Sequence, residues 1–277
     1  MKTARLRDGE QVPALGQGAW NIGDDRGRRA EEIAALRAGL DLGLSLIDTA
    51  EMYGEGRSEE LVGEAIRGRR DEVFLVSKVY PHNASRKGAV QACERSLKRL
   101  GTDRLDLYLL HWRGTLPFAE TLDAFMGLQQ AGKIRHYGVS NLDLDDMEAL
   151  WGEAGGEGVQ TNQLLYNLTR RGIEFDLLPR LREHKVPVMA YSPIEQARLL
   201  ANRKLVAFAR DCGLTPAQAA LAWLLARDDV IAIPKAGSRA HVAENAAALQ
   251  VRLSADQLQA LDALFPPPKR RMPLEML

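Results

Sequence analysis

A (β/α)8 barrel, eight parallel strands closed into a ring inside a coat of helices, is the fold the sequence predicts, and three features predict it. From Ala14 onward, short β-rich runs alternate with helix-length amphipathic stretches, a pattern that pairs strands in parallel beneath helical crossovers. The strand runs number eight, and 277 residues suit one such barrel. No Gly-x-Gly-x-x-Gly turn follows the first strand run, which removes the mark of an open doubly wound sheet.

The chain opens with two short alternating runs around Asp8-Gly9, between Ala4 and Val12, a strong short-range hairpin signal; this hairpin is expected to plug one end of the barrel. Barrel strands are expected over residues 15–19, 46–48, 73–78, 105–111, 136–140, 158–162, 187–191 and 230–233. Between them, patterns such as Ile33, Leu36, Leu40 and Val90, Cys93, Leu97, Leu100 gather apolar residues on one helical face, so that each helix can cover a strand. Thr215-Pro216-Ala217-Gln218 supplies an N-cap, a proline at the first helical position and a capping-box glutamine, and Ser254 with Gln257 repeats the box. Additional C-terminal helices follow the eighth strand, and Pro266-Pro267-Pro268 ends the last of them before a short tail. No low-complexity linker divides the chain, so residues 1–277 are expected to form one domain.

Composition narrows the function. Lys plus Arg and Asp plus Glu both total 37, so no broad field gathers nucleic acid or an anionic membrane. The first residues lack an apolar stretch of signal-peptide length and no later run approaches a membrane span, so a cytoplasmic protein is expected. Cys93 and Cys212 are too few and too far apart for a disulfide framework and read as structural. His82, His136 and His184 share no metal-ligand spacing, and no metal site is expected. Nothing marks a partner surface; a monomer or weak oligomer is expected.

In a barrel of this kind the C-terminal strand ends and the loops after them converge on one mouth, where chemistry is to be sought. Asp48 ends the second strand, Tyr53 lies in the following loop, Lys78 ends the third strand and His111 the fourth. Together they suit carbonyl reduction, because hydride addition creates an alkoxide that must be protonated as it forms. Tyr53 can give that proton, Lys78 can stabilise its phenolate, Asp48 can hold Lys78 by an ion pair, and His111 can orient the carbonyl oxygen. Trp20, Met52 and Trp112 adjoin strand ends and are expected to line an apolar substrate pocket, whereas Trp223 lies mid-helix and reads as core.

Leu46-Ile47-Asp48-Thr49-Ala50-Glu51-Met52-Tyr53-Gly54, Val76-Ser77-Lys78 and Leu109-Leu110-His111-Trp112 resemble, in order and spacing, the signatures of the aldo/keto reductase family. Ile134-Arg135-His136-Tyr137-Gly138-Val139-Ser140-Asn141 resembles that family's fifth-strand motif, and Ile233-Pro234-Lys235-Ala236-Gly237-Ser238 its cofactor loop, so the likeness runs from Leu15 to about Asn245. It is greatest to bacterial members that reduce small aldehydes and 2-oxoaldehydes such as methylglyoxal. The resemblance implies that Ser140, Asn141 and Gln163 hold a nicotinamide carboxamide and that Tyr191, followed by Ser192, stacks beneath the ring. It further implies that Lys235 and Ser238 bind the adenosine phosphate, with Arg239 assisting and Glu244 and Asn245 near the adenine. His241 stands where the family often has an arginine for the 2′-phosphate, and Ala236 lacks a hydroxyl found in many relatives that prefer NADPH. NADPH is the expected cofactor, with NADH the second candidate. Two other classes fit parts of this pattern: a redox-sensing module that uses the fold as a nucleotide receptor, and a Schiff-base aldolase with Lys78 as nucleophile.

Overall fold

Residues 2–277 are described by the structure, a computed structural model. Eight strands run parallel and pair in chain order: β3 (Gln17–Gly18), β4 (Leu46–Asp48), β5 (Phe74–Val79), β6 (Leu105–Leu110), β7 (Ile134–Ser140), β8 (Asn162–Leu165), β9 (Val188–Tyr191) and β10 (Val230–Ala232). Before them come β1 (Thr3–Arg5) and β2 (Gln11–Pro13), an antiparallel pair.

The ring closes where residues around β3 meet β10. Gly16 N–H donates to Ala232 O at 2.8 Å, Ala232 N–H to Ala14 O at 2.9 Å, and Gly18 N–H to Pro234 O at 3.0 Å. Glycine permits this approach: a Cβ on Gly18 would lie 2.8 Å from Ile233 O. The first strand is therefore shorter than the expected 15–19, with only a single bridge at Leu15 ahead of the two ladder residues.

The sixth barrel strand is displaced from its expected position. Residues 156–158 form a 3-10 turn after Gly155, whose φ is +85°, and β8 begins only at Asn162. Tyr137 dictates this: its hydroxyl donates to Gly155 O at 2.8 Å and reaches within 2.0 Å of where a Cβ on Gly158 would stand, so the glycines serve a close approach and not a strand. The other strands agree with expectation to within one or two residues.

The hairpin lies against the N-terminal ends of the barrel strands, as a plug should. Asp8 N–H donates to Gln160 Oε1 at 2.9 Å, just before β8, and Arg7 Nε to His184 O at 3.0 Å, before β9. Glu10 pairs with Arg135 and His136 of β7. Its turn is closed by Gly9, whose N–H donates to Leu6 O and whose φ is +100°.

Helices α1 (Arg29–Asp41), α2 (Arg57–Ala65), α3 (Arg86–Leu100), α4 (Phe118–Gln130), α5 (Leu144–Trp151) and α6 (Leu177–Glu183) each cross from one barrel strand to the next. They bury the stripes the pattern requires, for example Ala35, Leu36 and Leu40 on α1 and Ala89, Cys93, Leu97 and Leu100 on α3. Two helices exceed the eightfold repeat: α7 (Arg203–Asp211), inserted ahead of α8 (Pro216–Leu225), and α10 (Ala255–Leu264), after α9 (Arg239–Ala247). Both expected capping boxes form, each with reciprocal bonds, Thr215 with Gln218 and Ser254 with Gln257. Trp223 is buried. After Leu264 the tail runs back to the barrel mouth, where Arg271 binds Asp145 at 2.9 Å and Asp176 at 3.1 Å.

Candidate active site

The parallel register carries the polar strand ends to one rim. Asp48 closes β4 opposite Val76, Lys78 stands one residue before the end of β5, and His111 follows β6 directly. Tyr53 begins a sharp turn whose next residues, Gly54, Glu55 and Gly56, all take positive φ, folding the loop back over the rim. Buried Glu51 steadies that loop by accepting from Tyr80 N–H at 2.9 Å and Asn83 Nδ2 at 3.0 Å. Ser58, also buried, does the same through Thr49 and the carbonyl of Ala19. Sequence reasoning missed both supports; polar residues inside a loop and at a helix start carried no signal of burial.

Lys78 Nζ donates to Asp48 Oδ2 at 2.8 Å, Thr49 O at 2.9 Å and Tyr53 OH at 3.0 Å. An ammonium has three protons to give, so its geometry is fully used. Burial works against that charge, yet Asp48 foremost, with Tyr53, holds the Lys78 pKa above its ordinary value. Tyr53 departs from expectation. Burial raises its phenol, Lys78 pulls it down, Asp48 pushes it up, and the outcome lies above the usual tyrosine value. Lys78 thus offsets burial only in part, and the proton stays on the phenol at neutral pH. His111, 6% exposed, faces the Tyr53 ring edge-on at a centroid separation of 5.8 Å. Burial, and then Lys78, press its pKa down to about 2, so the imidazole is neutral; its Nδ1 has no hydrogen-bond partner among the described residues.

A second polar group adjoins the first. Gln163 Nε2 donates to Asp48 Oδ1 at 2.8 Å, Ser140 Oγ to Gln163 O at 2.9 Å, Asn141 Nδ2 to His111 O at 3.1 Å, and Tyr191 OH to Asn141 Oδ1 at 3.0 Å. One cavity of about 330 Å³ is lined by both groups except the enclosed Lys78, together with Trp20, Met52, Trp112, Ser192 and Lys235. The expected pocket residues therefore do meet the polar ones. Ile194, Gln196, Met276 and Leu277 also line it, brought there by a loop and a tail whose path no local pattern announces.

The remaining candidates sit at the N-cap of α9 and along that helix. Ser238 caps that helix, its Oγ accepting from His241 N–H; Arg239 and His241 are exposed, Glu244 is half-buried and Asn245 is buried. One cation was missed: Arg28 Nη2 donates to Gly237 O at 3.3 Å and, with Lys235 Nζ, lies within about 3.2 Å of where a Cβ on Gly237 would stand. Elsewhere, Asp8, Glu10 and His136 gather beneath the hairpin, but Arg135 already takes both Glu10 oxygens at 2.8 Å. Among the described residues, no helix is long and apolar enough to cross a membrane.

The chain is similar to known proteins over nearly its whole length. The profile of the aldo/keto reductase family matches residues 14–265. The chain is 52% identical over 271 residues to methylglyoxal reductase YeaE of Escherichia coli (strain K12), spanning 96% of this chain and 95% of that one. It is 33% identical over 267 residues to a glyoxal reductase of Bacillus subtilis (strain 168), spanning 95% and 92%. Among solved structures, an aldo/keto reductase from Klebsiella pneumoniae, crystallised with NADP and acetate, matches with a TM-score of 0.97 and 53% identity over 100% of this chain and 99% of that one.

Proposed function

Because this chain belongs to the aldo/keto reductase family, we propose that it reduces small aldehydes and 2-oxoaldehydes, methylglyoxal among them, to alcohols with NADPH as hydride donor and Tyr53 as proton donor. The observation that carries this reading is the triple engagement of Lys78 with Asp48, Thr49 and Tyr53 at the edge of a cavity whose other wall is Ser140, Asn141, Gln163 and Tyr191. NADPH, when bound, would supply the hydride. As the carbonyl carbon accepts it, the carbonyl oxygen takes the proton of Tyr53, and the phenolate left behind is stabilised by the Lys78 ammonium until it regains a proton from solvent. A raised phenol pKa suits this direction of transfer, since the acid is protonated at every turnover. Neutral His111, which lines the cavity, orients the carbonyl oxygen by donating its one ring N–H and, lacking the second proton of an imidazolium, does not compete with Tyr53 as the acid.

The chemistry of the second wall fits the cofactor. Ser140, Asn141 and Gln163 offer the hydroxyl and amide groups that a carboxamide pairs with, and the Tyr191 ring gives the flat surface on which a nicotinamide stacks. Lys235 and Ser238, assisted by Arg239, take the adenosine phosphate, with Glu244 and Asn245 beside the adenine. NADPH is preferred over NADH despite His241 and Ala236, since Lys235 and Arg28 converge nearby. Trp20, Met52 and Trp112 form an apolar slot, and the modest cavity favours small substrates. A Schiff-base role for Lys78 is disfavoured, because its raised pKa and three acceptors keep the amine protonated and occupied. The enzyme works as one barrel domain, monomeric or weakly associated, in the cytoplasm.

Purified protein mixed with methylglyoxal and NADPH should lose nicotinamide absorbance in proportion to the alcohol formed. Silence across a panel of small aldehydes, with NADPH bound, would replace this reading with a nucleotide receptor.

A further inference from the structure

Two walls of the cavity are built from segments far apart in the chain. One is the turn after β9, which contributes Ser192, Ile194 and Gln196; the other is the end of the tail, Met276 and Leu277. The turn is unusual for its backbone: Ser192, Glu195, Gln196 and Ala197 all take positive φ, between +46° and +68°, without a glycine among them. Such a conformation persists only where surrounding contacts impose it.

Those contacts come from the loop after β8. Asn167 Nδ2 donates to Ser192 O at 2.9 Å and to Glu195 Oε2 at 2.8 Å. Arg170 donates to Glu195 Oε1 through Nε at 3.1 Å and Nη2 at 2.8 Å. Glu195 is only 5% exposed; burial opposes its charge, yet Arg170 and Asn167 keep its carboxyl below the ordinary glutamate value. The remaining arm of the same guanidinium, Nη1, holds Glu275, the residue immediately before Met276. Asn167 and Arg198 reach Glu195 but not the tail, whereas Arg170 holds carboxylates of both segments with one guanidinium; Tyr191, just before the turn, also meets the backbone of Leu277.

We propose that Arg170 is a positioning residue that locks the β9 turn and the C-terminal tail to each other, so that the two walls of the cavity are set together. The proposal rests on the reading that this cavity holds NADPH and a small carbonyl substrate. A planar guanidinium suits the task because its fork fixes two carboxylates at a set angle, which a lysine point charge does not. Freeing the tail then loosens the turn as well. The reacting groups are untouched, since neither Lys78 nor Tyr53 contacts this network.

The test uses Glu275→Gln, a change at the surface, in the full-length protein and again in an Arg170→Ala background. NADPH Kd is read by fluorescence titration, and kcat and KM for methylglyoxal by steady-state kinetics. The expected result is a rise of about threefold or more in both NADPH Kd and methylglyoxal KM with kcat unchanged, and no further change when Glu275→Gln is added to Arg170→Ala. An unchanged NADPH Kd in Glu275→Gln, or an equal effect with and without Arg170, would overturn the lock. Should Arg170→Ala melt too low to assay, Arg170→Lys serves as the second background, since it keeps the charge and loses the fork. If wild-type protein binds NADPH but leaves methylglyoxal unreduced, the substrate reading fails, and the NADPH Kd comparison still decides the lock.

Discussion

Lys78 Nζ lies 3.0 Å from the hydroxyl of Tyr53, and still the phenol is held above the ordinary tyrosine pKa, because burial outweighs the neighbouring ammonium. The pair is therefore an acid with its counter-ion in waiting. Tyr53→Phe should lower kcat by about a thousandfold or more while NADPH Kd changes by less than about twofold, because the hydroxyl acts only on the reacting oxygen. Lys78→Met should be as inactive. Single-turnover kinetics with a separate NADPH titration check both, and retained turnover in Tyr53→Phe would remove the proton-donor role.

The depressed pKa of His111 makes a stability prediction whose sign is fixed. In the unfolded chain the imidazole takes a proton below about pH 6.5, while in the folded protein it stays neutral down to about 2. Falling pH therefore favours the unfolded state across that window, by about 1.4 kcal/mol per pH unit from this residue. His111→Asn should flatten the loss of stability between pH 6 and pH 4, as measured by urea unfolding at several pH values. The same neutrality predicts that kcat shows no inflection near pH 6.5. A fall should come only on the alkaline side, where Tyr53 loses its proton.

Asp48, Lys78 and His111 were legible because each stands at or beside the end of a largely apolar strand run, and Tyr53 because it lies in the loop directly after one; a parallel barrel sends every such ending to one rim. The hairpin and both capping boxes were legible because their signals are local. What escaped the sequence depends on distant partners. Nothing near Pro266 says that the tail returns to the cavity, a path fixed by Arg271 with Asp145 and Asp176 and by Arg170 with Glu275. Nor does the turn Arg26–Arg28 announce that Arg28 meets Gly237 across the helices α1 and α9. The direction of the Tyr53 shift was equally hidden, since it turns on how completely the ring is enclosed.

Lys235 Nζ and Arg28 Nη2 converge over Gly237, each within about 3.2 Å of where a Cβ would stand. If the phosphate that distinguishes NADPH from NADH is held there, removing either cation penalises NADPH selectively. Lys235→Ala should weaken NADPH binding by about tenfold and Arg28→Ala by about threefold, with NADH nearly unaffected in both, because charge-assisted bonds to a phosphate are lost one at a time. Matched titrations with the two nucleotides at fixed salt measure the ratio. Equal losses for NADPH and NADH would place the phosphate elsewhere.

Gly158 tests the displaced strand. A Cβ there would stand 2.0 Å from the Tyr137 hydroxyl and 2.7 Å from Cζ, and Tyr137 cannot simply swing away, because its ring is buried and its hydroxyl donates to Gly155 O. Gly158→Ala should therefore destabilise the protein by about 1–3 kcal/mol, the usual penalty for forcing a methyl group into a packed site. Adding Tyr137→Phe removes the nearest atom of the collision but leaves the ring carbon, so the double variant should recover part of the loss and not all of it. Because this contact lies at the N-terminal end of β8, and the cavity at the opposite end of the strands, NADPH Kd should stay at the wild-type value throughout. Urea unfolding and nucleotide titration of the three variants separate the two effects; a Gly158→Ala protein as stable as wild type would mean that the turn over residues 156–158, and not Tyr137, decides where the sixth strand begins.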